Sequence, residues 1–105
     1  MIYTVTFNPA IDYVVRLDRL QPGAINRARE ELVQFGGKGV NVSTVLGNLG
    51  VENVAMGFLA GFTGQALEEG LSAAGVRADF IHLSEGFTRI NVKIKGGEET
   101  EVNGR

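Results

Sequence analysis

Residues 35–43 read Phe35-Gly36-Gly37-Lys38-Gly39-Val40-Asn41-Val42-Ser43, with three glycines, a lysine and an asparagine placed where an extended pattern gives way to a helical one. Glycines let backbone approach a ligand closely, and a helix start gathers unpaired N–H groups and positive dipole charge. With Lys38 beside them, the chemistry on offer is the holding of a polyhydroxylated or anionic molecule. Two familiar phosphate loops are excluded. A Walker loop needs Ser or Thr directly after Gly-Lys, where this chain has Gly39, and the dinucleotide fingerprint counted from Gly37 needs a glycine where Val42 stands. A turn that serves only tight strand-to-helix packing is the plainer alternative.

Two further side chains have the right chemistry. In the alternating run Ile11–Leu17, Ile11, Tyr13, Val15 and Leu17 share one face and Asp12, Val14 and Arg16 the other, so a half-buried strand carries a carboxylate on its second face. Asp12 could equally be a solvated aspartate on an edge strand. Arg89 opens a second alternating run, with Asn91, Lys93 and Lys95 on its face and Ile90, Val92 and Ile94 opposite. A planar guanidinium makes paired, charge-assisted bonds to phosphate oxygens. The competing reading pairs Arg89 with Glu98, Glu99 or Glu101 across a hairpin. Arg27 is a weaker second cation, and His82 reads as a partly buried structural histidine.

These residues need elements to position them. Ile2–Phe7 is β-branched and aromatic and stops at Asn8-Pro9, so a strand and a turn are expected. Glu30–Phe35 reads as a strand into Gly36-Gly37. The following helix has the stripe Val42, Val45, Leu46, Leu49 and ends at Gly50, although the interior Gly47 weakens it. Asn53–Leu59 reads as a strand, Gly61–Gly64 as a loop, and Gln65–Ala74 as a helix with Leu67, Leu71 and Ala74 inward, capped by Gly75. A short strand at Asp79–His82 precedes a hairpin, Arg89–Lys95 and Glu98–Asn103 around a two-residue Gly96-Gly97 turn. The alternation of strands and helices predicts a parallel α/β core, and the remaining alternating segments a second, smaller sheet.

Composition narrows the classes. The 105 residues are 44% hydrophobic and 21% charged, which suits one globular domain at most. Ten Lys and Arg against twelve Asp and Glu give a net charge of −2, without the broad positive field that nucleic acid or an anionic membrane requires. No cysteine and a single histidine rule out a disulfide framework, a thiolate metal site and a histidine-rich metal cluster. The N-terminus lacks a basic n-region and breaks at Asn8-Pro9 before any long apolar run, so a cytoplasmic address is expected.

Four segments in this order and spacing, Phe7-Asn8-Pro9-Ala10-Ile11-Asp12, Gly36 to Ser43, Gly57 to Gly64, and Thr88-Arg89-Ile90-Asn91-Val92-Lys93, resemble the phosphosugar-kinase branch of the PfkB, ribokinase-like family across nearly the whole chain. The resemblance implies an α/β/α sandwich with a small β-sheet lid. Residues 1–105 would be the N-terminal portion of one such domain, with lid segments at about 11–17, 30–35 and 88–103. It implies that Asp12, Gly36, Gly37 and Asn41 contact a sugar, that Arg89 clamps its phosphate with Lys38 and Arg27 as lesser cations, and that none of these is catalytic. The catalytic aspartate, the anion-stabilising glycine turn and most of the ATP pocket are expected in a C-terminal part absent from this sequence. The implied reaction uses ATP and Mg2+ to phosphorylate a ketohexose monophosphate, fructose 1-phosphate first and tagatose 6-phosphate second. A non-catalytic phosphosugar-binding module and a ribose or nucleoside kinase are the competing readings. A homodimer formed through the lid is also implied.

Overall fold

The strand and helix patterns are realised with shifted ends in a computed structural model that describes all residues, Met1–Arg105. In chain order the elements are β1 (Ile2–Thr6), β2 (Ala10–Arg16), β3 (Glu30–Gly36), α1 (Lys38–Asn48), β4 (Asn53–Ala60), α2 (Gly61–Ala73), β5 (Ala78–Leu83), β6 (Arg89–Gly96) and β7 (Glu98–Asn103). β1, β4 and β5 form a parallel sheet in the order β1-β4-β5. The other four strands form a second sheet in the order β3-β2-β6-β7, parallel only between β2 and β6. The expected α/β class and parallel core are present.

The core is small. Val40 from α1, Ala55 and Leu59 from β4, Leu67 and Leu71 from α2 and Phe80 from β5 make one buried cluster. Ile11 and Phe35, paired in register across β2 and β3, pack against it and so fasten the second sheet to the first. Phe35 needs the glycine at position 70. A Cβ there would lie 2.0 Å from the ring, so the aromatic edge occupies the space a side chain on α2 would fill.

Three expectations fail on the helices. Three of the four stripe residues on α1 face outward, with Val42 50%, Val45 56% and Leu49 71% exposed, while Leu46 is half-buried and Val40 and Ser43 are buried. The reason is that α1 packs through its small residues. Ser43 Oγ and Thr4 Oγ1 form a buried hydrogen bond of 2.5 Å, and hydroxyl contact of this kind draws helix and strand closer than leucine would allow. Gly61–Gly64 is the first turn of α2 and not a loop, with Thr63 and Gly64 buried. Ala74 is exposed and caps the C-terminus beside Gly75.

The second sheet brings further corrections. Its more enclosed face carries Ala10, Val14 and Asn91, all under 10% exposed, while Ile90 on the apolar stripe is 37% exposed. β2 lies inside the sheet, so Asp12 is not an edge-strand residue. At the hairpin Gly96 pairs with Glu98 and Lys95 with Glu99, leaving Gly97 alone at the apex with φ 91°. The two-residue turn is therefore not formed. His82 is exposed and meets Glu68 at 3.0 Å. No helix is long and apolar enough to cross a membrane.

Candidate functional site

The C-terminal ends of β1 and β4 and the N-termini of α1 and α2 meet the first residues of β2 and β6 and the last of β3. Crevices outside the carboxyl ends of parallel strands are the usual binding places in α/β sheets. Here the crevice is bounded on one side by the second sheet, whose register sets the chemistry. One row runs Gln34, Asp12, Asn91, Asn103 across its strands. The next row on the same face is Gly36, Ala10, Arg89, two residues or roughly 7 Å along the strand.

Asp12 is held from two sides. Asn91 Nδ2 donates to its Oδ1 at 3.0 Å, and Lys93 Nζ lies 3.8 Å from Oδ2. The amide of Asn91 has a fixed orientation, because Gly104 N donates to Asn91 Oδ1 at 3.2 Å and only the NH2 group is left to face the carboxylate. The Asp12 side chain is 15% exposed, and a Cβ at Gly36 would lie 2.7 Å from its Oδ2. Gly36 thus leaves room for the carboxylate at the mouth of the glycine loop.

Arg89 makes none of the ion pairs expected of a hairpin arginine. Lys95 takes Glu99 at 3.7 Å, and no acidic side chain pairs with Arg89. Its Nε is buried and has no hydrogen-bond partner. A buried, unpaired donor of a charged group is costly, by about 1–3 kcal/mol or more, unless a ligand satisfies it. The backbone beneath Arg89 is fixed by its neighbour: Thr88 N donates to Ala60 O at 3.0 Å, and Thr88 Oγ1 accepts from Ala60 N at 3.1 Å.

Lys38 is the first residue of α1, exposed and in no ion pair. Asn41 is exposed in the first turn and does not cap the helix; its N–H donates to Gly37 O at 2.9 Å and Gly37 is the N-cap. Gly37 needs its residue type on two grounds, a φ of 125° and a Cβ position 2.5 Å from Thr6 Cγ2. Gly36 and Arg89 thus flank Ala10 in the row next to Asp12, and Gly37, Lys38 and Asn41 follow Gly36 directly into the first turn of α1. Arg27 does not join them. It is exposed in the loop before β3, beyond the Arg16–Glu30 row, which is four residues or roughly 13 Å of strand from Asp12.

Two residues that brace this region from behind could not be read from the sequence. Thr6 and Thr88 act across 34 and 28 positions of chain, and no local period points to them. Asn91 had a signal, since it shares a strand face with Arg89, but its pairing with Asp12 spans 79 positions.

The model of the pfkB family carbohydrate kinases matches residues 5–103, and the chain belongs to that family. A 1-phosphofructokinase from Borreliella burgdorferi is 47% identical over 104 residues, covering 98% of this chain and 34% of the relative. A D-tagatose-1-phosphate kinase from Bacillus licheniformis is 43% identical over 102 residues, covering 97% and 33%. A crystal structure from Staphylococcus aureus superposes with a TM-score of 0.90 at 48% identity, covering 99% of this chain and 34% of that one. The fold is ribokinase-like. The chain spans about a third of the length of the relatives it matches.

Proposed function

We propose that this chain is the sugar-binding part of an ATP-dependent kinase for a ketohexose monophosphate, converting fructose 1-phosphate to fructose 1,6-bisphosphate. One observation carries the reading. On a single sheet face beside the glycine loop stand a carboxylate already oriented by Asn91 and a guanidinium whose buried Nε has no protein partner. Asp12 accepts hydrogen bonds from sugar hydroxyls, Arg89 and Lys38 hold the phosphate the substrate already bears, and Gly36, Gly37 and Asn41 face the ring. Arg27 has no role in this reading, and a ribose or nucleoside substrate would leave Arg89 without its anion. The second sheet serves as a lid over the sugar, and its apolar face with Tyr13, Val92 and Ile94 is the surface through which two copies pair.

ATP supplies the transferred phosphoryl group and Mg2+ the charge neutralisation. In this reading the sites for both lie mostly outside these residues. No three acidic or histidine side chains converge, and the Asp12 carboxylate is already engaged by Asn91 and Lys93. The base, the anion-stabilising turn and the nucleotide pocket are assigned to parts of the intact protein outside these residues, in a cytoplasmic setting.

A tagatose phosphate is the second reading, favoured by the Bacillus licheniformis relative. The deciding experiment is a coupled kinase assay of the full-length protein with Mg-ATP and fructose 1-phosphate, tagatose 1-phosphate or tagatose 6-phosphate. Highest kcat/KM with fructose 1-phosphate is expected. Preference for a tagatose phosphate would move the assignment to the second reading. Binding without turnover of all three would leave a non-catalytic module.

A further inference from the structure

We propose that Thr6, at the end of β1, is a positioning residue for the sugar-phosphate site, holding the Gly36–Asn41 segment in its binding geometry from behind. The inference rests on the function proposed above and adds a residue that touches no substrate. α1 begins at Lys38, and the first N–H groups of a helix have no partner inside it. The N-cap, Gly37, has no side chain to offer. Thr6 Oγ1 accepts from Val40 N at 3.0 Å, so a strand 34 residues away supplies the cap.

The same side chain sets the two glycines flanking Lys38. A Cβ at Gly37 would lie 2.5 Å from Thr6 Cγ2, and one at Gly39 would lie 2.4 Å from Thr6 Oγ1. The methyl thus fixes one side of Lys38 and the hydroxyl the other. Thr6 is itself 7% exposed, and a Cβ at Gly57 on β4 would lie 2.1 Å from its carbonyl oxygen. Threonine is held in the parallel sheet on one side and holds the loop on the other. Valine has the same shape without the acceptor; serine has the acceptor without the methyl.

The test compares Thr6→Val and Thr6→Ser in the full-length protein, by steady-state kinetics and by hydrogen exchange at the Val40 amide. Expected for Thr6→Val are a KM for the sugar phosphate raised about tenfold or more, a KM for ATP within twofold, and faster exchange at Val40. Thr6→Ser should restore the sugar KM to within about threefold of wild type. A merely structural role would lower the melting temperature of Thr6→Val and leave the sugar KM unchanged below the transition, which would overturn the proposal. Unchanged protection of Val40 would also overturn it. A wild-type protein that binds no ketohexose phosphate would remove the underlying functional reading, whereas wild-type turnover with a normal KM in Thr6→Val removes this inference alone. If Thr6→Val does not fold, Thr6→Ala takes its place with the same two readouts.

Discussion

The two strand-to-helix junctions, at α1 and at α2, are started by the same device and finished differently. Neither N-cap residue, Gly37 or Ala60, makes a side-chain cap. Each junction borrows a distant threonine, Thr6 of β1 for Val40 N and Thr88, just before β6, for Ala60 N. At α2 protein then closes the space. A Cβ at Gly61 would lie 2.8 Å from Gly86 O, and one at Gly64 would lie 2.9 Å from Thr88 Oγ1 and 3.0 Å from Leu59 Cβ. At α1 the glycines are backed by Thr6 and flanked by Asp12, while Lys38 and Asn41 remain exposed. Borrowed capping therefore builds both junctions; what sets the α1 junction apart, and suits it to the binding proposed for it, is the set of polar groups left facing outward.

The sharpest way to break that contrast is at Gly37. Alanine there would combine a φ of 125° with a 2.5 Å approach to Thr6 Cγ2. Strain and overpacking together predict a loss of about 3 kcal/mol or more, read as a lower urea midpoint at unchanged m-value. A loss below about 1 kcal/mol would mean that the loop relaxes and is not clamped by Thr6.

Arg89→Ala follows, and it acts on ligand more than on fold. The sugar phosphate should bind more weakly by roughly 2–4 kcal/mol in calorimetric titration of the full-length protein, with ATP affinity nearly unchanged. Equal loss for both ligands would point to a damaged fold and take the clamp away from Arg89. Thr88→Val is the matching change at the closed junction. It deprives Ala60 N of its acceptor, so stability should fall by about 1–3 kcal/mol in urea unfolding. The sugar KM should rise less than that of Thr6→Val, because the main-chain bond from Thr88 N to Ala60 O still holds the backbone beneath Arg89. A KM rise as large as at Thr6 would erase the difference between the junctions.

Much of this was legible in the chain because it is local. Alternation placed Asp12 and Arg89 on strand faces, and the glycine run placed Lys38 and Asn41 at a helix start. The order of elements gave the parallel core. What local pattern could not carry was partner identity across the chain. Val42, Val45 and Leu49 face away from these 105 residues while Ser43 meets Thr4 of β1, a contact that no helical period encodes. Asp12 was placed on the right face without its partner, since the parallel pairing of β2 with β6 joins residues 79 positions apart. Arg27 was grouped with the site by its charge, and strand length separates it.

The interior glycines of the two helices show the same limit at the smallest scale. Gly47 on α1 was the one whose cost needed a packing reason, yet a Cβ there meets nothing within 4 Å. It lies over a crevice of about 310 Å³ lined by Ser43, Asn48, Glu52 and Arg77. Gly70 on α2 has the reason instead, in the ring of Phe35. Gly47→Ala should therefore stabilise the fold by about 0.5–1 kcal/mol, through helix propensity and a less flexible unfolded chain. Gly70→Ala should destabilise it, by about 1–3 kcal/mol, as the ring is pushed from its place. Urea unfolding of both variants checks the pair. A destabilised Gly47→Ala would show that another part of the protein packs against this end of α1, and the crevice would then be an internal contact and not an open surface.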